Sequence, residues 1–172
     1  VDGVLHTLGT SESSLRLVSV IAGTATLPVA WLLTREITGN PRLALVCASL
    51  LTVNPLHVWY SQEGRQYALL LLFGLASLVF IVRAMRTQAT GDWFGFAACT
   101  GLTLLTHTTG IAFLVVAALW VMFSDRSVVT RRRFLTAATG ALLAVSPFLL
   151  TVVRYVTHAD SANSPPRPMT GM

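Results

Sequence analysis

Apolar positions fall into long, nearly uncharged runs separated by short polar turns. Runs of that length predict helices that cross a bilayer, not amphipathic helices of a soluble core. Val1, Val4, Leu5 and Leu8 recur at helical spacing before Gly9, so residues 1–10 read as the end of an outer amphipathic segment. A first spanning helix is predicted over 11–33, with Ser11 as cap, Glu12 in the first turn and Pro28 as a kink. Asn40 and Pro41 then cap and open a second helix over 42–58, which Asn54-Pro55 bends or ends. A third helix follows over 61–82, with Ser61 as its cap and Gln62 and Glu63 in its first turn. A last helix is predicted over 134–153, leaving Arg154, His158, Asp160 and the Pro-rich residues 158–172 outside as an extended tail.

The run from Trp93 to Phe123 carries no charge. As one straight helix it would be about 46 Å long, against a bilayer core of about 30 Å. Thr106-His107-Thr108-Thr109-Gly110 interrupts it. The arginines favour a split there, into helices over 93–106 and 109–123. Arg35, Arg42, Arg83 and Arg86 flank loops that share one side, whereas the turn from Asn54 to Tyr67 carries Arg65 alone. The positive-inside rule makes the first side cytoplasmic. Arg126, Arg131, Arg132 and Arg133 belong there too, which requires two short crossings or a re-entrant hairpin around His107. The predicted fold is therefore an all-α, polytopic transmembrane bundle of about four full helices plus a short hairpin broken near His107.

Composition agrees with that reading. Of 172 residues, 53% are hydrophobic and 11% charged, and the mean hydropathy is +0.67, outside the range of ordinary soluble domains. The net charge of +5 comes with arginines in short loops, not on a polar face, so nucleic acid is not an expected partner. Cys47 and Cys99 each lie inside an apolar run and read as small hydrophobes, not as a disulfide or metal pair. No metal-ligand spacing, phosphate-binding Gly loop or Ser-His-Asp pattern occurs. The chain opens at Val1 in mid-pattern, the expectation for part of a longer protein.

The densest chemistry lies in Asn54 to Tyr67, NPLHVWYSQEGRQY. Arg65 at a helix start near the membrane surface offers a guanidinium and free N–H groups to a phosphate, or else snorkels to the interface with Glu63 as a chance partner. Trp59 and Tyr60 suit an aromatic belt or a ligand contact. Arg16 is a second phosphate candidate, with a helical ion pair to Glu12 as the alternative. His107 is the one ionisable group inside an apolar run, and is either a site residue or a neutral ring satisfied by Thr106, Thr109 or a carbonyl.

LGTSESSLRLVSVIAG (Leu8 to Gly23), followed by NPLHVWYSQEGRQYALL (Asn54 to Leu70), resembles the GT-C membrane glycosyltransferases. It is most similar to the bacterial branch of the dolichyl-phosphate-mannose protein mannosyltransferases. The most specific part is Tyr60-Ser61-Gln62-Glu63-Gly64-Arg65-Gln66-Tyr67, and the likeness covers most of residues 8–123. The resemblance implies a multi-pass enzyme of the plasma membrane. It would take a sugar, with mannose as the leading expectation, from a polyprenyl-phosphate carrier at the extracytoplasmic face to a hydroxyl of a protein, lipid or glycan acceptor. No cofactor is implied beyond that donor, and membrane lipid is the other partner. The family's catalytic carboxylate and the His-Pro-Pro segment after it do not occur here and would precede Val1. Asp2 lies after the expected position, so no catalytic residue is named. The substrate-binding set that the resemblance implies is Arg65, Glu63, Gln62, Arg16, His107, Tyr60 and Tyr67. A lipid transporter or flippase would also suit a hairpin with a buried histidine, but such proteins commonly show repeated halves and none is evident here. A non-catalytic scaffold would use its arginines for topology alone.

Overall fold

The computed structural model describes residues 12–124 and 127–162, with side chains from Arg16 to Ser146 except Ala144. Residues 1–11 and 163–172, and hence Asp2, the outer amphipathic segment and most of the Pro-rich tail, lie outside the described residues, as do Arg126 and the Glu12 side chain. Every regular element among the described residues is helical.

Helix α1 spans Glu12–Thr38, past the 33 expected. Its threonine hydroxyls turn inward on their own helix: Thr24, Thr26, Thr34 and Thr38 each donate to the carbonyl four residues back, which keeps these polar groups satisfied in an apolar medium. Gly39, with φ of +67°, stops it. Asn40 and Pro41 then start α2 (Pro41–Thr52), the Asn40 side chain accepting from the N–H groups of Arg42 and Leu43. The same device recurs at once. Asn54 accepts from Leu56 and His57 and Pro55 opens α3 (Pro55–Gln62), bent by 60° from α2. The helical stretch expected over 42–58 is thus two helices meeting at an elbow.

Helix α4 (Tyr67–Thr87) begins six residues after Ser61, so Ser61 is not its cap. The Ser61 hydroxyl donates instead to the His57 carbonyl at 2.6 Å within α3, and no side chain caps α4. Gln88, in the left-handed region at φ 53°, turns the chain into α5 (Thr90–Thr106). His107 is extended, a 3-10 turn spans Thr108–Gly110, and α6 (Ile111–Ser124) follows. Helix α7 (Val128–Ala162) begins before the expected 134 and continues through Arg154, His158 and Asp160, which were expected in an extended tail.

Helices α4 and α5 pack side by side, the Phe80 ring filling the space beside Gly95. At the His107 turn the chain reverses. Phe113 lies against Gly74, while Ala117 and Val121 join Ile81, Ala84, Trp93, Phe96, Phe134 and Ala138 in one core. Helix α6 therefore retraces α4 from its Tyr67 end toward its Arg86 end, as a short hairpin with α5. Among the described residues, α1 (from Arg16) and α4 are each long and apolar enough to cross a membrane, and the bent α2–α3 pair is apolar enough for a broken span or a re-entrant loop. The protein is a multi-pass helical membrane bundle.

The two ends of α4 are about 31 Å apart at 1.5 Å per residue, and they differ in chemistry. At the far end Glu36 of α1 bridges Arg83 (3.5 Å) and Arg86 (3.3 Å), Arg35 lies over Trp31, and Arg133 of α7 donates to the carbonyl and side chain of Gln88. The loops assigned to one side by their arginines are thus physically clasped together. Tyr67 and the His107 turn occupy the opposite end.

Candidate functional site

The site candidates gather where α3 hands over to α4. Glu63 closes α3, its N–H bonded to the Trp59 carbonyl, and Gly64 reverses the chain at φ +67°, a conformation that glycine adopts without steric cost. Arg65 and Gln66 complete the turn. It is fastened to α1 in two places: the Ser19 hydroxyl donates to the Arg65 carbonyl at 3.2 Å, and Ser61 sits in the space that a side chain at Gly23 would fill. Ser19 and Gly23 are four residues apart, on one face of α1, and their small size lets α3 approach.

Four rings line up across the turn. Trp59 is stacked on Tyr60 (centroids 6.2 Å apart), Tyr60 packs against Tyr67 at 4.9 Å, and Tyr67 against His107 at 5.8 Å. The series ties α3, α4 and the hairpin turn to one another. His107 Nδ1 accepts from the Thr109 N–H at 3.1 Å and meets the Thr109 hydroxyl at 2.8 Å. With Nδ1 an acceptor, the neutral ring carries its proton on Nε2.

Beneath the rings, the elbow between α2 and α3 opens a cavity of about 340 Å³ against α4 and α6, walled by Leu51, Leu56, Leu71 and Phe113 and edged by Tyr60 and Tyr67. Arg65 stands two residues from that edge. Its Nε is 3.7 Å from Glu63 Oε1, with the side chains 61% and 29% exposed, a loose surface pair that contributes at most about 1 kcal/mol and leaves the guanidinium available to a stronger anion.

Of the residues expected in the site, Tyr60, Tyr67 and His107 are brought into contact, and Arg65 and Glu63 are paired beside them. Arg16 is exposed on α1, one turn before Ser19, and so belongs to the same end; it has partners of its own. Gln62 points elsewhere, to a smaller groove shared with Val20, Gly23 and Leu27 of α1. Sequence reasoning missed Ser19, Gly23 and Ser61 as fasteners, and Leu51 and Phe113 as cavity walls. The Ser-x-x-x-Gly spacing in α1 was the available signal for the first group; Phe113 comes from a remote helix and carries no local signal. Among the described residues no group of three or more His, Cys, Asp or Glu side chains is placed to hold a metal ion.

The sequence profile of the dolichyl-phosphate-mannose-protein mannosyltransferases matches residues 2–150. The chain belongs to that family. No curated protein and no solved structure matches it. As a member of the mannosyltransferase family it is a membrane glycosyltransferase of the mannosyltransferase type, and membership with membrane helices points to association with lipid and a lipid-linked sugar donor.

Proposed function

We propose that the protein is a GT-C glycosyltransferase of the family's bacterial branch, acting at the extracytoplasmic face of the plasma membrane, and that it moves mannose from a polyprenyl phosphate to a hydroxyl acceptor. One observation carries the reading: the Arg65 turn lies directly beside the apolar elbow cavity, at the end of the bundle opposite the arginine clasp. An amphiphile with an anionic head and an isoprenoid tail complements both surfaces at once.

In the reaction, the bond between the sugar C1 and the carrier phosphate oxygen breaks as the acceptor oxygen bonds to C1. The electron pair leaves with the phosphate, which gains negative charge. Arg65 is the proposed stabiliser of that charge, with Arg16 contributing from α1. Tyr60 and Tyr67 pack against sugar or isoprenoid, Glu63 holds Arg65 or a sugar hydroxyl, and His107 Nε2–H donates from below. The base that takes the acceptor's proton is proposed to be a carboxylate preceding Val1, as the resemblance implies.

The test is transfer from polyprenyl-phosphate mannose by the complete protein in native membranes. The expected result is that Arg65→Ala abolishes transfer while the variant accumulates and inserts normally. Normal transfer by that variant removes Arg65 from the site and with it this account of the donor.

A further inference from the structure

The far end of the bundle holds a second amphiphilic groove, about one length of α4 away from the aromatic turn. A cavity of about 350 Å³ between α5 and α7 adjoins a second of about 360 Å³ along α7, and the two share Arg133 and Thr136. The first is walled by Trp93, Phe94 and Ala97, and the second extends past Arg132 to Val128 and Val129. Phe94, Val128 and Val129 are exposed apolar side chains, open to whatever surrounds the bundle. Trp93 is buried, yet its indole N–H has no hydrogen-bond acceptor. That N–H is closed off from the groove, so Trp93 serves it as an apolar wall.

The surrounding charges select the ligand. Arg133 is held over the groove by one nitrogen, donating to the Gln88 carbonyl at 2.8 Å and to its Oε1 at 3.1 Å, so its remaining N–H groups are still donors. No side chain caps the first turn of α5, from which Thr90 lines the groove. The acidic residue of that turn, Asp92, accepts from the Thr87 hydroxyl at 2.5 Å, and Glu36 is engaged by Arg83 and Arg86. The groove therefore presents two guanidiniums above apolar walls.

We infer that this groove binds an anionic phospholipid of the surrounding bilayer, its phosphate at Arg132 and Arg133 and its acyl chains along Phe94, Ala97 and Val129. Basic pockets between membrane helices bind such headgroups, each arginine adding to the attraction at the membrane surface. The site is separate from the proposed donor site, and its test does not depend on transfer.

The experiment is native mass spectrometry of the complete protein released from micelles containing phosphatidylglycerol or phosphatidylcholine. The wild type is expected to retain phosphatidylglycerol about tenfold better than phosphatidylcholine. Arg132→Gln, which leaves the Arg133 clasp on Gln88 intact, should weaken that retention about fivefold. Arg42→Gln removes the same charge away from the groove and should change retention less than twofold. Equal retention of the two lipids, or an equal loss in Arg42→Gln and Arg132→Gln, would overturn the proposal. Displacement of phosphatidylglycerol by inorganic phosphate would also overturn it, since the groove would then bind free phosphate.

Discussion

The two ends of α4 differ in how firmly their arginine side chains are held. At the far end each cation in the clasp already has a protein partner: Arg83 and Arg86 share Glu36, and Arg133 is bonded to Gln88. Arg83 and Arg86 hold α4 to α1, and Arg133 holds α7 to the turn after α4. At the other end, among the described residues, the Arg65 side chain makes a loose contact with Glu63, on a turn bound through its backbone to Ser19. A cation whose main chain is anchored and whose side chain is uncommitted is placed for a ligand. Counting arginines does not separate the two uses; their partners do.

The largest expected contrast is in transfer. Arg65→Ala should lower it by at least about a hundredfold, the order seen when one transition-state donor is removed, while Arg86→Ala should leave it within about twofold; equal losses in both variants would erase the distinction between the ends. Next is the seat of the turn. Gly23→Val would force Ser61 aside, since even a Cβ at that position meets the Ser61 side chain. It should destabilise the protein by about 1–3 kcal/mol in thermal unfolding and depress transfer with it, and an unchanged melting temperature would show that α3 does not lean on α1. Asn54→Ala removes the cap that starts α3 and should cost about 1 kcal/mol, read in the same assay. Glu36→Gln, which releases Arg83 and Arg86, should cost less than about 1 kcal/mol because the pairs are partly exposed. A cysteine replacing Gln88 should be labelled from the cytoplasmic side only; labelling from outside inverts the assignment of both ends.

The same contrast explains what the chain disclosed as a string. The all-helical membrane fold and the break at His107 were legible because uncharged length and a Thr-His-Thr-Thr-Gly interruption are local signals. Asn40-Pro41 was legible for the same reason. Ser61 was misread as the start of α4 because its hydroxyl has two possible partners, and the carbonyl of His57 wins. Glu63 and Gly64 end α3 there, and α4 starts at Tyr67 without a cap. The expected end of α1 at residue 33 falls short of Thr38, since the partners that stabilise Glu36 inside a helix lie on α4. The continuation of α7 through Arg154 and His158 was missed in a similar way, because charge was taken to mark a helix end. At the site, the aromatic and basic residues stood out by type. The cavity beside them did not, because Leu51 and Phe113 meet only through the elbow and the hairpin.

The central claim is that the donor occupies the aromatic end. The most direct measurement is photo-crosslinking of a polyprenyl-phosphate mannose carrying a benzophenone in its isoprenoid tail to the complete protein in membranes, followed by mapping of the labelled peptides. Labelling of the peptides that carry Leu56, Leu71 and Phe113 is the predicted result, and it should be lost in Arg65→Ala. Labelling confined to the peptides that carry Phe94 and Thr136 would place the donor at the arginine end and contradict the account.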